Sequence, residues 1–143
     1  MLRNAAAYLL APTMLLSGCA TAHNTEPTKA PAVESSVLLK SSRSWDGTPY
    51  VAYPSGTPEL TVLKIRIPAN TALNWHQHPM PNAAYVVSGE LKVETREGGK
   101  SIMLKAGDVL PEMVDQQHRG VTAARAVELV VFYAGTPGLP LSQ

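Results

Sequence analysis

From about residue 37 onward the apolar residues come in short runs divided by turn formers, and no stretch repeats them at helical spacing. That pattern restricts the chain to strands. Residues 60–67 (LTVLKIRI) alternate, with Thr61, Leu63, Ile65 and Ile67 on one face. Residues 84–88 form a β-rich run closed by Gly89, and then Leu91, Val93 and Thr95 alternate with Lys92, Glu94 and Arg96. Gly98-Gly99 marks a hairpin turn, 101–105 a strand, Gly107-Asp108 another turn and 109–114 a further strand. The last strong strand covers 126–133, and the tail over 135–143 is rich in Pro and Gly. Many short strands at even spacing predict an all-β sandwich or barrel. The composition agrees: 45% hydrophobic against 16% charged residues supports a packed core, and 143 residues leave room for one domain.

Three of the four histidines fall in this strand territory. His76-Gln77-His78 sets two imidazoles at i and i+2, which in a strand point the same way and can reach one ion through Nε2. His118, on a separate strand, supplies a third. Neutral imidazoles suit zinc, nickel, copper or iron. Spacing alone leaves open a chance surface pair, and it also leaves open a metal-free polar network of the three rings.

The residues around the histidines resemble the cupin superfamily. Its first motif sets Gly, five residues, His-x-His, three or four residues, Glu, six residues, Gly; here Asn70, His76, His78, Asn82 and Gly89 stand at those intervals. In its second motif Gly107 and His118 match, while Met113, Asp115 and Thr122 replace Pro, Gly and Asn. The resemblance covers roughly 60–133. It implies a double-stranded β-helix, or jelly-roll barrel, with a pocket inside and a divalent transition metal (Fe, Mn, Zn or Ni) held by His76, His78 and His118. Small cupins commonly pair, so a homodimer is expected.

The family's fourth ligand, a glutamate, is Asn82 here. An amide offers only a neutral oxygen, so Asn82 is expected to bind weakly or to stand behind the ligands. Glu112 shares parity with His118, and an uninterrupted strand would bring it into the pocket as an extra ligand or a general base. An exposed edge carboxylate is the alternative, since cupins bend near this point. Trp75 should face away from the ligands, Met80 between Pro79 and Pro81 is expected at the pocket rim, and Arg119 is read as a surface residue. Phe132 and Tyr133 are read as core and interface residues. No phosphate loop, G-x-S-x-G elbow or HExxH helix is present.

The start of the chain reads as an address. Arg3 is followed by an apolar stretch over 5–16, too short to span a membrane but suited to a secretion signal. Leu16-Ser17-Gly18-Cys19 resembles the cleavage box of bacterial lipoproteins, which implies lipid on the Cys19 thiol and a chain beginning there. Ala20 in the next position resembles the outer-membrane class, facing the periplasm. An ordinary signal peptide or a buried helix is the alternative. The expected organisation is a signal peptide over 1–18, a polar tether over 19–36 that includes His23, and the cupin domain over 37–143. Cys19 is the only cysteine, so there is no intrachain disulfide and no multi-cysteine metal site. Lys+Arg 12 against Asp+Glu 11 gives no basic field for nucleic acid.

The function expected from these residues is a metal-binding cupin of the cell envelope that acts on a small, anionic organic molecule. With Fe(II) the chemistry would be that of an oxygenase; with Mn, Zn or Ni it would be that of an isomerase, lyase or hydrolase. A non-catalytic module that binds or senses a small ligand is the alternative, because fold does not choose the reaction.

Overall fold

The computed structural model describes residues 30–143. The leader over 1–18, Cys19 and His23 lie outside the described residues. Residues 30–42 carry no strand and are exposed, as a polar stretch with Pro31 and no core-forming pattern should be. Contacts then join Ser35–Gln143 into one unit.

Seven strands follow: β1 (Glu59–Ile67), β2 (Asn82–Ser88), β3 (Glu90–Thr95), β4 (Ser101–Lys105), β5 (Val109–Pro111), β6 (His118–Thr122) and β7 (Val127–Gly135). Among the described residues there is no helix. The strands form two antiparallel sheets, ordered β1-β7-β2-β5 and β4-β3-β6. β1 and β7 pair in register from Glu59↔Gly135 to Ile67↔Val127. Along β1 the alternation turns Leu63, Ile65 and Ile67 inward and leaves Leu60, Val62, Lys64 and Arg66 exposed. β2 and β7 contribute Ala84, Val86, Leu129 and Val131 to the same core, where they meet Leu91, Val93 and Leu104 of the second sheet. Met80 is fully buried in this core, not at a rim.

The turns follow from backbone conformations that few residues tolerate. Gly89 links β2 to β3 at φ +85°, and a Cβ there would stand 2.5 Å from the Ala126 carbonyl oxygen. Asn70 and Asp115, at two positions where the motifs carry glycine, both adopt positive φ, +53° and +54°. Asn and Asp are the side chains that visit this region most readily. One departure from the sequence expectation is that β5 ends at Pro111 rather than continuing to 114; Val114 instead bridges to His78. Thr122, at the motif's asparagine position, donates to the Pro68 carbonyl (2.6 Å) and accepts from the Thr71 amide (3.0 Å), tying the turn after β1 to β6.

Candidate metal centre

The segment that carries His76 and His78 lies along the free edge of β6. His76 and His118 exchange both backbone hydrogen bonds (3.0 and 2.9 Å), and Ala72 pairs with Val121. This extended geometry gives i and i+2 a common face, and alternation along β6 turns His118, Gly120 and Thr122 inward. The three imidazoles therefore converge, with ring centres 4.8 to 5.1 Å apart. Their candidate ligand atoms all lie within 4.8 Å of one another, close enough to share one metal ion.

Each ring is fixed by a carbonyl behind it. Nδ1 of His76 donates to Asn74 O (2.8 Å), that of His78 to Leu141 O (2.7 Å) and that of His118 to Gln116 O (2.8 Å). A carbonyl can only accept, so Nδ1 keeps its proton and Nε2 presents a lone pair to the centre. Carbonyls behind the ring are the usual orienting partners of metal-binding histidines.

Glu112 enters this cluster. Its Oε2 lies 3.0 Å from His78 Nε2 and 3.1 Å from His118 Nε2. A carboxylate oxygen facing two lone pairs needs a positive species between them, either a proton on a ring or a metal ion. With metal–ligand bonds of about 2.1 Å, neighbouring ligand atoms at a right angle stand about 3.0 Å apart, so the two Glu112 contacts and the donor set fit a divalent transition metal. Burial pushes the Glu112 carboxyl up, but hydrogen bonds and charge from His118 and His78 overcome it and hold the group down at about 2. Burial pushes His78 down, and the same carboxylate more than reverses this, raising it. His76 has no such bond to Glu112, and burial lowers it.

The backbone of Glu112 is held on both sides. Its amide donates to the Asn82 carbonyl (3.0 Å), and its carbonyl accepts from the Tyr50 hydroxyl (2.7 Å). Asn82 itself is buried, and neither of its amide atoms has a hydrogen-bond partner. The cavity beside the histidines has a volume of about 60 Å³; Glu112 and Tyr133 line it among aliphatic side chains, and Asn82 does not. The Tyr133 ring meets His78 edge-on at 5.6 Å, and burial with the nearby Glu112 charge pushes its hydroxyl up to about 12. Arg119 lies outside the cavity: its guanidinium covers the Trp75 ring at 4.3 Å and pairs with Glu94 at 2.7 Å.

Residues 63–133 match the family model described as the cupin domain. The fold is that of a cupin. Solved structures with the same architecture include the DMSP lyase DddQ from Ruegeria pomeroyi DSS-3, at 22% identity and a TM-score of 0.52, over 66% of this chain and 45% of that one. The polyketide cyclase RemF from Streptomyces resistomycificus aligns at 15% identity and a TM-score of 0.51, over 59% of this chain and 58% of that one. A cupin-like protein from Thermotoga maritima aligns at 20% identity and a TM-score of 0.50, over 59% and 62%. The chain thus spans less than two thirds of the length of each. No curated protein matches it.

The cupin motifs located the three histidines, and parity suggested Glu112. Tyr133 was legible as an inward position in step with Leu129 and Val131 on β7. Tyr50 and the Leu141 carbonyl carried no signal, the first because it lies in a strandless segment and the second because a backbone acceptor has no residue signature.

Proposed function

We propose that this chain is a metal-dependent cupin of the bacterial cell envelope, in which His76, His78, His118 and Glu112 hold a divalent transition metal that binds or transforms a small organic molecule. The observation that carries this reading is the ring arrangement: three imidazoles with Nδ1 bonded outward and Nε2 turned to one point, with a buried carboxylate beside them. Glu112 returns the carboxylate that position 82 lacks, and it stays ionised because the histidines hold it so. The metal would supply Lewis-acid or oxygen chemistry when bound. The chain's own contribution is to fix the ligand orientations and to exclude water with aliphatic walls from both sheets.

Cavity size supports a small substrate. At about 60 Å³ it is far below the roughly 300 Å³ at which pockets for whole drug-sized ligands begin. It has room for about two waters' worth of matter, which suits a very small molecule or only the reacting end of a larger one. The same tightness favours a second reading, a module that holds its metal and a small ligand without turnover.

Metal analysis of protein purified without added metal tests the centre. Wild type should retain about one equivalent, and His76→Ala and His118→Ala should lose it; equal content in all three sinks the reading. Oxygen uptake and product analysis on small carboxylates, thiols and phenolics then separate oxygenase, lyase and binding roles. The envelope location rests on the Leu16–Cys19 pattern in the sequence, and a palmitate analogue should label wild type but not Cys19→Ala. A homodimer is supported by the apolar outer face of the β1-β7-β2-β5 sheet, where Leu60, Val62, Tyr85 and Phe132 are exposed.

A further inference from the structure

Two of the three site histidines are oriented by carbonyls close by in sequence. His76 donates to the carbonyl of Asn74 and His118 to that of Gln116, each two residues back. His78 differs, because its acceptor is the Leu141 carbonyl, 63 residues away along the chain.

The segment that brings this carbonyl into place is built for it. After β7 the chain reverses at Thr136-Pro137-Gly138-Leu139, where the Leu139 amide donates to Thr136 O (3.1 Å) and Gly138 takes φ +83°. Proline followed by a positive-φ glycine is the requirement of a type II turn. Leu139 and Leu141 then pack against the core, and Gln143 exchanges both backbone hydrogen bonds with Gln77 (3.0 and 3.1 Å). The segment is thus clasped to the residue between the two ligands.

We propose that residues 139–143 are a positioning strap, which holds His78 as the Nδ1–H tautomer and thereby sets the site's affinity for a divalent metal; this rests on the metal-centre reading above. A neutral imidazole has one N–H, and its acceptor decides which nitrogen carries it. With the Leu141 carbonyl in place, Nε2 keeps a lone pair for the centre. Without it, the proton moves to Nε2, where Glu112 Oε2 stands 3.0 Å away to accept it. His78 and Glu112 would then satisfy each other, and both would be lost as ligands. His76 and His118 keep their Nδ1 acceptors, because these are local.

Two full-chain variants test the strap. Leu139→Ser with Leu141→Ser frees its apolar anchors, and Gln143→Pro removes one clasp donor at an exposed position without touching the core. Zinc affinity is measured by chelator competition, and side-chain ¹⁵N NMR of the metal-free protein reads which ring nitrogens carry protons. The double variant should raise the zinc Kd by about 10- to 100-fold, the usual cost of losing a ligand's orienting partner, and Gln143→Pro should raise it less. In both, Nδ1 of His78 alone should lose its proton. An unchanged Kd and unchanged His78 ring, with amide exchange at Gln77 showing the clasp open, overturns the proposal; so does an equal change in all three rings, which means general loosening. Wild type that binds no zinc sinks the metal reading instead, and the ring spectra of the metal-free protein still decide whether the strap positions His78.

Discussion

Glu112 carries a buried negative charge against two imidazoles, with its own amide and carbonyl tied to Asn82 and Tyr50. Glu112→Gln should therefore weaken zinc or cobalt binding at least about tenfold, measured by competition titration. Asn82 has no partner for either amide atom, so the nearly isosteric Asn82→Leu removes an unpaired polar group from the interior. It should leave metal affinity unchanged and be neutral or stabilising, by up to about 1–3 kcal/mol in chemical denaturation; a fall in affinity would show that Asn82 is a ligand. The motif spacing could not have assigned these parts. It marks position 82 as the acidic one, whereas Glu112 was suggested by parity with His118 alone, and the strand is interrupted between the two. Asp46 offers a pH test remote from the site. Burial raises its carboxyl, but bonds from the Ser44 and Thr48 hydroxyls and the Thr48 amide outweigh this and hold it below its usual 3.8. Its stabilising contribution is complete above that value and is lost as falling pH protonates the folded state. Asp46→Asn should thus cost stability near neutrality, with the gap to wild type closing in acid; a gap independent of pH would refute the assignment.

The connections between strands are governed by sign of φ. Gly89→Ala would combine a positive φ with a Cβ driven at the Ala126 carbonyl, and should cost about 2 kcal/mol or more, read as a lower midpoint in urea. Asn70 and Asp115 take the same region without glycine. Alternation made β1 and β3 legible because each turns one face to the core, and β7 stood out as a strong apolar strand. β5 was legible in place but not in length, since it ends at Pro111 and nothing in the apolar pattern of 109–114 marks that stop. The segment 139–143 was legible only as Pro- and Gly-rich: the Pro137-Gly138 pair signals a turn, but not what the turn delivers.

At the scale of the molecule, the β1-β7-β2-β5 sheet covers the core with one face and exposes Leu60, Val62, Tyr85 and Phe132 on the other. A contiguous apolar face of this kind fits a second copy of the chain. Light scattering on the domain should report a dimer that Leu60→Lys with Val62→Lys converts to a monomer; a monomeric wild type would remove the idea. The histidine cluster has a further consequence for the folded state. Its donors come from the segment after β1, the turn after β5 and the start of β6, while the carbonyl behind His78 comes from beyond β7. Such a set exists only when the chain is folded, so any ion bound there acts as a cross-link that the unfolded chain lacks. Free metal at about 100 times its Kd would add about 2.7 kcal/mol to the folding free energy. The melting temperature would then rise and fall with metal supply, and the protein's lifetime in its compartment would be a record of the ions available there.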